Sequence, residues 1–182
     1  TITGSHTLNN VTFNNTSGGS GLYAAIASGT TLTVNGTLTI SGTNWINLNT
    51  GTIAAKGDIT LTNTSTGGGS ATIEINGTGN QILTGSGTIG QGRLPMVNIN
   101  KASGNLTLAS IITSDSNWTF TSMGTGSLIT TGSTVVFNAN TTITGSHTLN
   151  NVTFNNTSGS GLSATIASGT TLTVNGTLTI SG

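Results

Sequence analysis

The chain contains very few charged residues, no cysteine and a single proline. Three Lys or Arg and three Asp or Glu give its 182 residues a formal net charge of zero. The charged fraction is 3%, against about 25% in an average soluble domain. With three cations the chain offers a phosphate backbone almost nothing to pair with, so nucleic acid is not an expected partner. No run of about 18 apolar residues occurs, and no membrane-spanning helix is expected.

Acidic residues are equally scarce. The carboxylates are Asp58, Glu74 and Asp115, and none lies within ten residues of another. Glycosidases and lyases need acids that converge on one groove, although stacked coils could bring Asp58 and Glu74 together. The glycine–aspartate pattern of calcium-binding β-rolls is missing. We therefore expect no enzyme, no catalytic residue, no metal and no cofactor.

Four small or polar residue types supply about three fifths of the chain. There are 41 Thr, 28 Gly, 22 Asn and 21 Ser. Thr, Asn and Gly are poor helix formers, whereas Thr, Val and Ile suit a pleated strand, and Gly and Asn suit tight turns. Low charge, one proline and regular apolar periodicity argue against disorder. The composition predicts an all-β fold.

The beginning of the chain recurs at its end. Residues 1–42 return almost unchanged at 142–182, with two substitutions and one deleted glycine; Ser163, for example, stands where the first copy has Tyr23. A repeat this close serves length more often than chemistry. The sequence predicts a tandem array with a period of about 141 residues, in which 1–141 is one full repeat and 142–182 begins the next. We interpret the chain as a window of a longer protein.

An older repetition lies inside the period. Residues 94–104 align without gaps on 8–18, and 116–120 resemble 43–48 in the same order in which 132–138 resemble 57–63. These echoes predict that one period consists of two diverged half-units, and that the fold is modular below 141 residues.

Alternation of apolar and polar residues is clearest in residues 31–40, TLTVNGTLTI, repeated at 171–180. This pattern is typical of half-buried strands. The predicted core residues are Leu32, Val34, Leu38 and Ile40 with their copies Leu172, Val174, Leu178 and Ile180. Other predicted strands are 2–3, 11–14, 24–27, 53–55, 59–62, 71–75, 81–84, 97–100, 106–109, 118–121, 128–130 and 134–138.

Two folds are compatible with these strands. Asn35-Gly36 between two alternating runs is a strong hairpin signal. The alternative is a parallel β-solenoid, favoured by the two-level repeat, the short strands and the lack of the charges that protect open sheet edges. We predict the solenoid, with rungs of about 20 to 25 residues stacked roughly 4.8 Å apart.

Asparagine recurs where turns are expected, because its side chain tolerates left-handed backbone and bonds to neighbouring peptides. In a solenoid such residues can stack into ladders. The predicted turn and ladder positions are Asn35, Gly36, Asn76, Asn138, Asn175 and Gly176.

Three further features have competing interpretations. His6 and its copy His147 follow serines, but neighbours on a strand point to opposite faces, so we expect surface or turn histidines. Thr-x-Thr pairs such as 31/33 and 37/39 resemble ice-binding faces, yet Thr is also an ordinary solvent-facing strand residue. Trp45 and Trp118 could stack on sugar, but a core or corner role is favoured.

The segments 76–87 (NGTGNQILTGSG) and 97–108 (VNINKASGNLTL), with the LTVNGTLTI units, resemble the β-strand repeats of very large secreted bacterial surface proteins. These include filamentous haemagglutinin and autotransporter passenger domains. The resemblance implies a right-handed β-helix exported to the cell surface as a stalk, adhesin shaft or fibre.

We therefore predict a structural protein that forms, or is the shaft of, an extracellular filament or cell-surface fibre. Its expected partner is itself, end to end and also laterally, because little charge opposes association. The alternative is an adhesin that binds glycan or another cell, with Tyr23 as the local hint. An ice-binding solenoid is a weaker alternative.

Overall fold

A computed structural model describes residues 1–156 and 161–181. These residues form short β-strands and no helix. In chain order the strands are β1 (His6–Leu8), β2 (Val11–Asn15), β3 (Leu22–Ala25), β4 (Thr31–Val34), β5 (Leu38–Gly42), β6 (Ile46–Asn49), β7 (Thr52–Ala55), β8 (Ile59–Leu61), β9 (Gly67–Gly68), β10 (Thr72–Ile75), β11 (Gln81–Thr84), β12 (Met96–Asn100), β13 (Leu106–Ala109), β14 (Ile111–Ser114), β15 (Trp118–Ser122), β16 (Leu128–Ile129), β17 (Thr134–Phe137), β18 (Thr141–Thr144), β19 (His147–Leu149), β20 (Asn151–Asn155), β21 (Ala164–Ile166), β22 (Leu172–Val174) and β23 (Leu178–Ser181).

The strands stack as a parallel β-solenoid. One sheet contains eight strands in the order β1-β4-β7-β10-β12-β15-β18-β21, and all its pairings are parallel. Within this sheet, register partners are separated by as many as 26 residues, as in His6↔Leu32, and by as few as 20, as in Thr52↔Thr72. The chain thus returns to the same sheet once in each of about seven turns of about 24 residues, and the predicted all-β solenoid is confirmed.

Each turn, meaning one full coil of the solenoid, has three faces, and the chain passes through them in a fixed order. Face 1 is the eight-stranded sheet. Face 2 is the sheet β2-β5-β8-β11-β13-β16, followed along the axis by the pair β19-β22. Face 3 is the sheet β3-β6-β9, followed by β14-β17-β20-β23, with a Leu94↔Ser114 bridge leading into the second sheet.

The hairpin alternative is wrong. β4 pairs with β1 and β7 on face 1, while β5 pairs with β2 and β8 on face 2. Asn35-Gly36 is therefore a corner between faces. Gly36 N–H donates to the Asn9 carbonyl of the turn below at 2.6 Å, and a Cβ at Gly36 would lie 2.2 Å from Asn10 Oδ1. Glycine is needed here because two turns approach closely.

The core is a long stack of apolar side chains that point into the solenoid. On face 1 the column runs through Leu32, Ile53, Ile73, Val97, Trp118 and Ile143, and each of these side chains is buried. Fully burying such a side chain stabilises a fold by about 1.5–3 kcal/mol. The inward side chains of an internal turn are buried by the turn above and the turn below together, so each turn depends on its two neighbours for stability.

The 141-residue period is not a unit of this fold. β1 lies on face 1 but its sequence copy β19 lies on face 2, and β2 on face 2 corresponds to β20 on face 3. The local pairing is nevertheless the same, with His6↔Leu32 repeated as His147↔Leu172. Six turns carry the His6 column to Ile143, four residues before His147. The period therefore exceeds a whole number of turns, and the second copy is advanced by one face.

Candidate functional site

The last described turn exposes side chains that belong to the core elsewhere. Leu178 and Ile180 are 54% and 80% exposed, whereas their counterparts Leu38 and Ile40 are 0% and 3% exposed. The difference arises because β8 pairs with the outer edge of β5, while β23 is the edge strand of its sheet. Leu172 and Val174 are half-buried. These side chains line an open hollow of about 820 Å³, here called the C-terminal stacking surface.

The opposite end of the solenoid is also open. β1 and β2 are edge strands of their sheets, and Leu8 in β1 is 47% exposed. Both ends thus combine apolar side chains with unpaired strand edges, which readily accept a further strand. This arrangement can join one turn of solenoid to another.

Corner side chains connect successive turns. Asn80 Oδ1 accepts a hydrogen bond from the Asn105 N–H at 2.9 Å, and Asn105 Oδ1 accepts from the Ser127 N–H at 3.0 Å. Asn10 Oδ1 binds the Thr37 N–H in the same way. Each of these asparagine side chains thus accepts a hydrogen bond from the backbone of the next turn.

The predicted ladder positions have different roles. Asn35 and Asn175 are exposed at corners, and the N–H of Gly176, like that of Gly36, donates to the turn below. Asn76 is half-buried, and its Oδ1 has no hydrogen-bond partner. Asn138 is buried, and its amide contacts that of Asn155 at 2.6 Å. No described Asn has a positive φ; among described non-glycine residues only Thr50 and Ser110 do. The described asparagines therefore do not adopt the left-handed backbone that Asn tolerates, and their other expected property, hydrogen bonding to neighbouring peptides, is the one seen at Asn10, Asn80 and Asn105.

Sequence reasoning missed a buried lysine at one corner. Lys101 is 1% exposed, and its Nζ donates to the carbonyls of Gly77 at 2.5 Å and Gly79 at 3.0 Å and to Gln81 Oε1 at 2.6 Å. Burial, and secondarily the charge of Lys56, lowers the pKa of Lys101. Three acceptors match the three N–H groups of the ammonium, so Lys101 fastens the loop 77–81 to the next turn.

The two histidines lie in different surroundings although their sequences match. His6 is exposed. His147 is buried, stacks on Phe120 with ring centroids 5.2 Å apart, and donates from Nδ1 to the Gly145 carbonyl at 2.7 Å. Burial lowers the pKa of His147, partly offset by that hydrogen bond. Ser5 Oγ accepts the Thr31 N–H, so it is committed to the backbone. The expectation of a surface or turn histidine is correct for His6 and wrong for His147.

The three carboxylates are distributed over three faces. Asp58, beside β8 on face 2, accepts the Ile82 N–H at 2.8 Å. Glu74 in β10 on face 1 accepts the Asn100 amide at 3.1 Å. Asp115, which follows β14 on face 3, forms an ion pair with Arg93 at 3.2 Å. Within residues 1–156 and 161–181, no group of three or more His, Asp or Glu is placed to hold a metal ion.

The threonine pairs do not extend into a regular array on face 1. The column of Thr31 continues through Thr52 and Thr72 but then meets Met96. The column of Thr33 continues as Ala54 and Glu74. A flat two-column threonine surface is therefore interrupted after one turn.

The aromatic residues separate into a core group and a surface group. Trp118 is fully buried and meets Phe137 edge to face, with centroids 6.1 Å apart. Trp45 is half-buried and meets Tyr23 edge to face at 4.8 Å, while Tyr23 is 68% exposed. Trp118 thus has a core role, and Trp45 lies at the corner between β5 and β6, so each has one of the two predicted roles.

Trp45 and Tyr23 border a depression of about 330 Å³ on face 3, here called the face 3 notch. It is lined by Tyr23, Trp45, Asn47, Thr66, Gly67 and Arg93.

The described part of the chain contains no helix long and apolar enough to cross a membrane. Comparisons with protein-family models, curated proteins and solved structures find no match to this chain.

Proposed function

We propose that this chain is a segment of the shaft of an extracellular filament or cell-surface fibre. The shaft is a right-handed solenoid assembled from successive copies of the 141-residue sequence, and the chain is a window of that longer array. The observation that carries the proposal is the contrast between Leu38 and Ile40, buried beneath the next turn, and the same residues in the second copy, Leu178 and Ile180, exposed at the C-terminal stacking surface.

The exposed surface has the shape and chemistry to receive another turn of its own kind. Leu38 and Ile40 are covered by Ile59 and Leu61 in register. Since the residues beneath are the same in both copies, the C-terminal stacking surface fits a turn like that formed by residues 43–61. The right-handed sense is supported by the strong preference for right-handed connections between parallel strands.

The proposal assigns no chemical reaction to the chain. Its carboxylates lie on different faces and bind backbone, amide or guanidinium groups. Its location outside the cell rests on the likeness to secreted surface repeats. In intact source cells, a segment-specific antibody should detect the protein, and external protease should remove that signal.

The shaft is tested by lengthening the chain. Residues 43–141 are appended after Gly182, where the tandem order places them, and a scrambled version of the same residues is the control. We expect about four more turns and therefore a rod longer by about 20 Å with an unchanged cross-section. Small-angle X-ray scattering measures both dimensions. A thicker particle of the same length would contradict the proposal.

Hydrogen exchange provides a second measurement on the same pair of chains. The amides of Leu178 and Ile180 should become protected in the extended chain and remain exposed in the scrambled control, because the equivalent Leu38 N–H donates to the Asp58 carbonyl of the next turn. Equal exchange in both would mean that no turn stacks on this surface.

A further inference from the structure

We propose that the face 3 notch binds a neutral sugar ring. This inference does not depend on the shaft, because it concerns the side of the solenoid and not its ends. It rests on an aromatic pair, a gap created by glycines and polar groups that converge on that gap.

The notch exists because β9 has no side chains. The register places Tyr23, Asn47 and Gly68 in one column across β3, β6 and β9. Beyond this column lie Arg93 and Asp115; a Cβ at Gly68 would come within 3.0 Å of Asp115 Cβ. The glycines therefore leave a depression between an aromatic wall and an ion pair.

The aromatic wall is held in place. The Trp45 ring packs directly on Gly21, where a Cβ would lie 1.9 Å from Trp45 Cε2. Tyr23 then meets the Trp45 ring edge to face and presents most of its own ring to solvent. An exposed aromatic ring next to a depression offers an apolar surface with a polar rim, which matches the C–H face and hydroxyl edge of a pyranose.

Polar groups around the notch are available to a ligand. Tyr23, Trp45, Asn47 and Thr66 line the notch, and within the described residues their side-chain polar atoms make no hydrogen bond. Arg93 is fixed by Asp115 and by its Nε donating to the Gly90 carbonyl at 2.8 Å. Small-molecule sites combine such convergent polar groups with aromatic walls, and about 330 Å³ is at the small end of their range.

The charge of the notch selects a neutral ligand. Arg93 is neutralised by Asp115, and a second carboxylate brought to Arg93 would be repelled by the first. An uncharged pyranoside can use the same donors and acceptors without that repulsion.

NMR titration tests the proposal on the whole chain. The probes are the methyl pyranosides of glucose, galactose, mannose and N-acetylglucosamine, the corresponding β-linked disaccharides, and methyl glucuronide as the charged comparison. At least one neutral probe should shift the Trp45 indole N–H and the Gly67 and Gly68 amides saturably. The buried Trp118 indole should not move.

Two variants locate the site. Tyr23→Ser introduces the residue that the second copy carries at this position and should weaken binding at least tenfold. Ile129→Ser removes an exposed apolar side chain of face 2 and should leave affinity unchanged. Saturable binding that survives Tyr23→Ser, tighter binding of the glucuronide, or no saturable response to any neutral probe would each overturn the proposal.

Discussion

At the scale of the residue, the same sequence acquires different properties from its position along the axis. His6 belongs to an edge strand and faces solvent, whereas His147 is buried between Leu172 of the next turn, its register partner, and the Phe120 ring of the preceding turn. Leu38 and Leu178 differ in the same way. Local sequence could therefore predict which residues point inward, but burial depends on whether another turn lies above and below.

Loss of the Lys101 ammonium should destabilise the solenoid. Lys101→Met removes the donor of the Gly77 and Gly79 carbonyls in a buried corner, and leaves Gln81 Oε1 with the Gly77 N–H alone. We expect the free energy of unfolding to fall by about 2–3 kcal/mol, measured by urea denaturation. Lys56→Met is the matched control, since Lys56 is exposed and makes one 3.4 Å contact; it should change stability by less than about 0.5 kcal/mol. Equal losses would show that the buried hydrogen bonds contribute little.

Burial of His147 should make stability depend on pH. Because burial lowers the pKa of His147 in the folded state, the unfolded chain takes up a proton first as pH falls below about 6.5. The free energy of unfolding should therefore be highest above that pH and decrease on acidification. Urea titrations between pH 7.5 and 5 should show a shallower decrease in His147→Gln. His6→Gln controls for removal of an exposed histidine, and an unaltered slope in His147→Gln would refute the assignment.

Neither the burial of Lys101 nor the face 3 notch could be predicted from the sequence, and the reason is the same for both. Each is assembled from different turns, and the partners become neighbours only when the register is known. Tyr23 lies opposite Asn47 because the connection from β3 to β6 has a particular length. The sequence singled out Tyr23 and Trp45 separately, but no local pattern joined them.

At the scale of the element, corners determine how closely turns stack. Gly36, Gly57 and Gly77 follow β4, β7 and β10 at the corner between faces 1 and 2. A Cβ at Gly57 would lie 2.3 Å from the Gly36 carbonyl oxygen. A side chain at this corner would thus clash with the backbone of the turn beneath it, so glycine is required.

Gly57→Ala should separate two turns locally. We expect a loss of about 1–3 kcal/mol in the free energy of unfolding, the usual cost of overpacking. Gly18→Ala is the control, because a Cβ there meets nothing within 4 Å. Thermal and urea unfolding compare the two variants. If Gly57→Ala is as stable as Gly18→Ala, close approach of the corners does not limit stacking.

Strands were predictable where apolar and polar residues alternate over four or more positions. Examples are β4, β5 and β13, all found close to their predicted bounds. Among the strands of the first 140 residues, β1, β6, β9 and β14 were not predicted, although the sequence of β6, INLN, also alternates. β14 follows Ser110, whose φ of 66° turns the chain sharply without a glycine. A turn made by serine in left-handed backbone has no reliable sequence signal, so the boundary between β13 and β14 was missed.

At the scale of the whole molecule, the proposed stacking of turns predicts that this chain, with its end strands uncovered, associates end to end. Ile180 lies on the C-terminal stacking surface, and Ile180→Asn places an amide where another turn would bury an apolar group. We expect the variant to lose end-to-end association of the chain in sedimentation velocity experiments. Moderate sodium chloride should not weaken this association, because the stacking surface is apolar and electrostatic screening acts on charged groups.

Ile82→Asn is the matched control for this experiment. Ile82 is 44% exposed but lies on the side of the solenoid, in β11. Association lost equally in both variants would indicate lateral contacts, and a wild-type chain that remains monomeric at all concentrations would contradict end stacking.

The one-face advance between copies would give the proposed shaft the symmetry of a screw. Each additional period would present the same outward residues about a third of a revolution further round. Equivalent outward positions would then trace a shallow spiral, returning to the same side after three periods, or about 19 turns and roughly 90 Å. Each of the three faces of such a shaft would present the same outward residues, at different heights along the axis. A flat neighbouring surface would therefore contact the same residues at any rotation of the shaft about its axis.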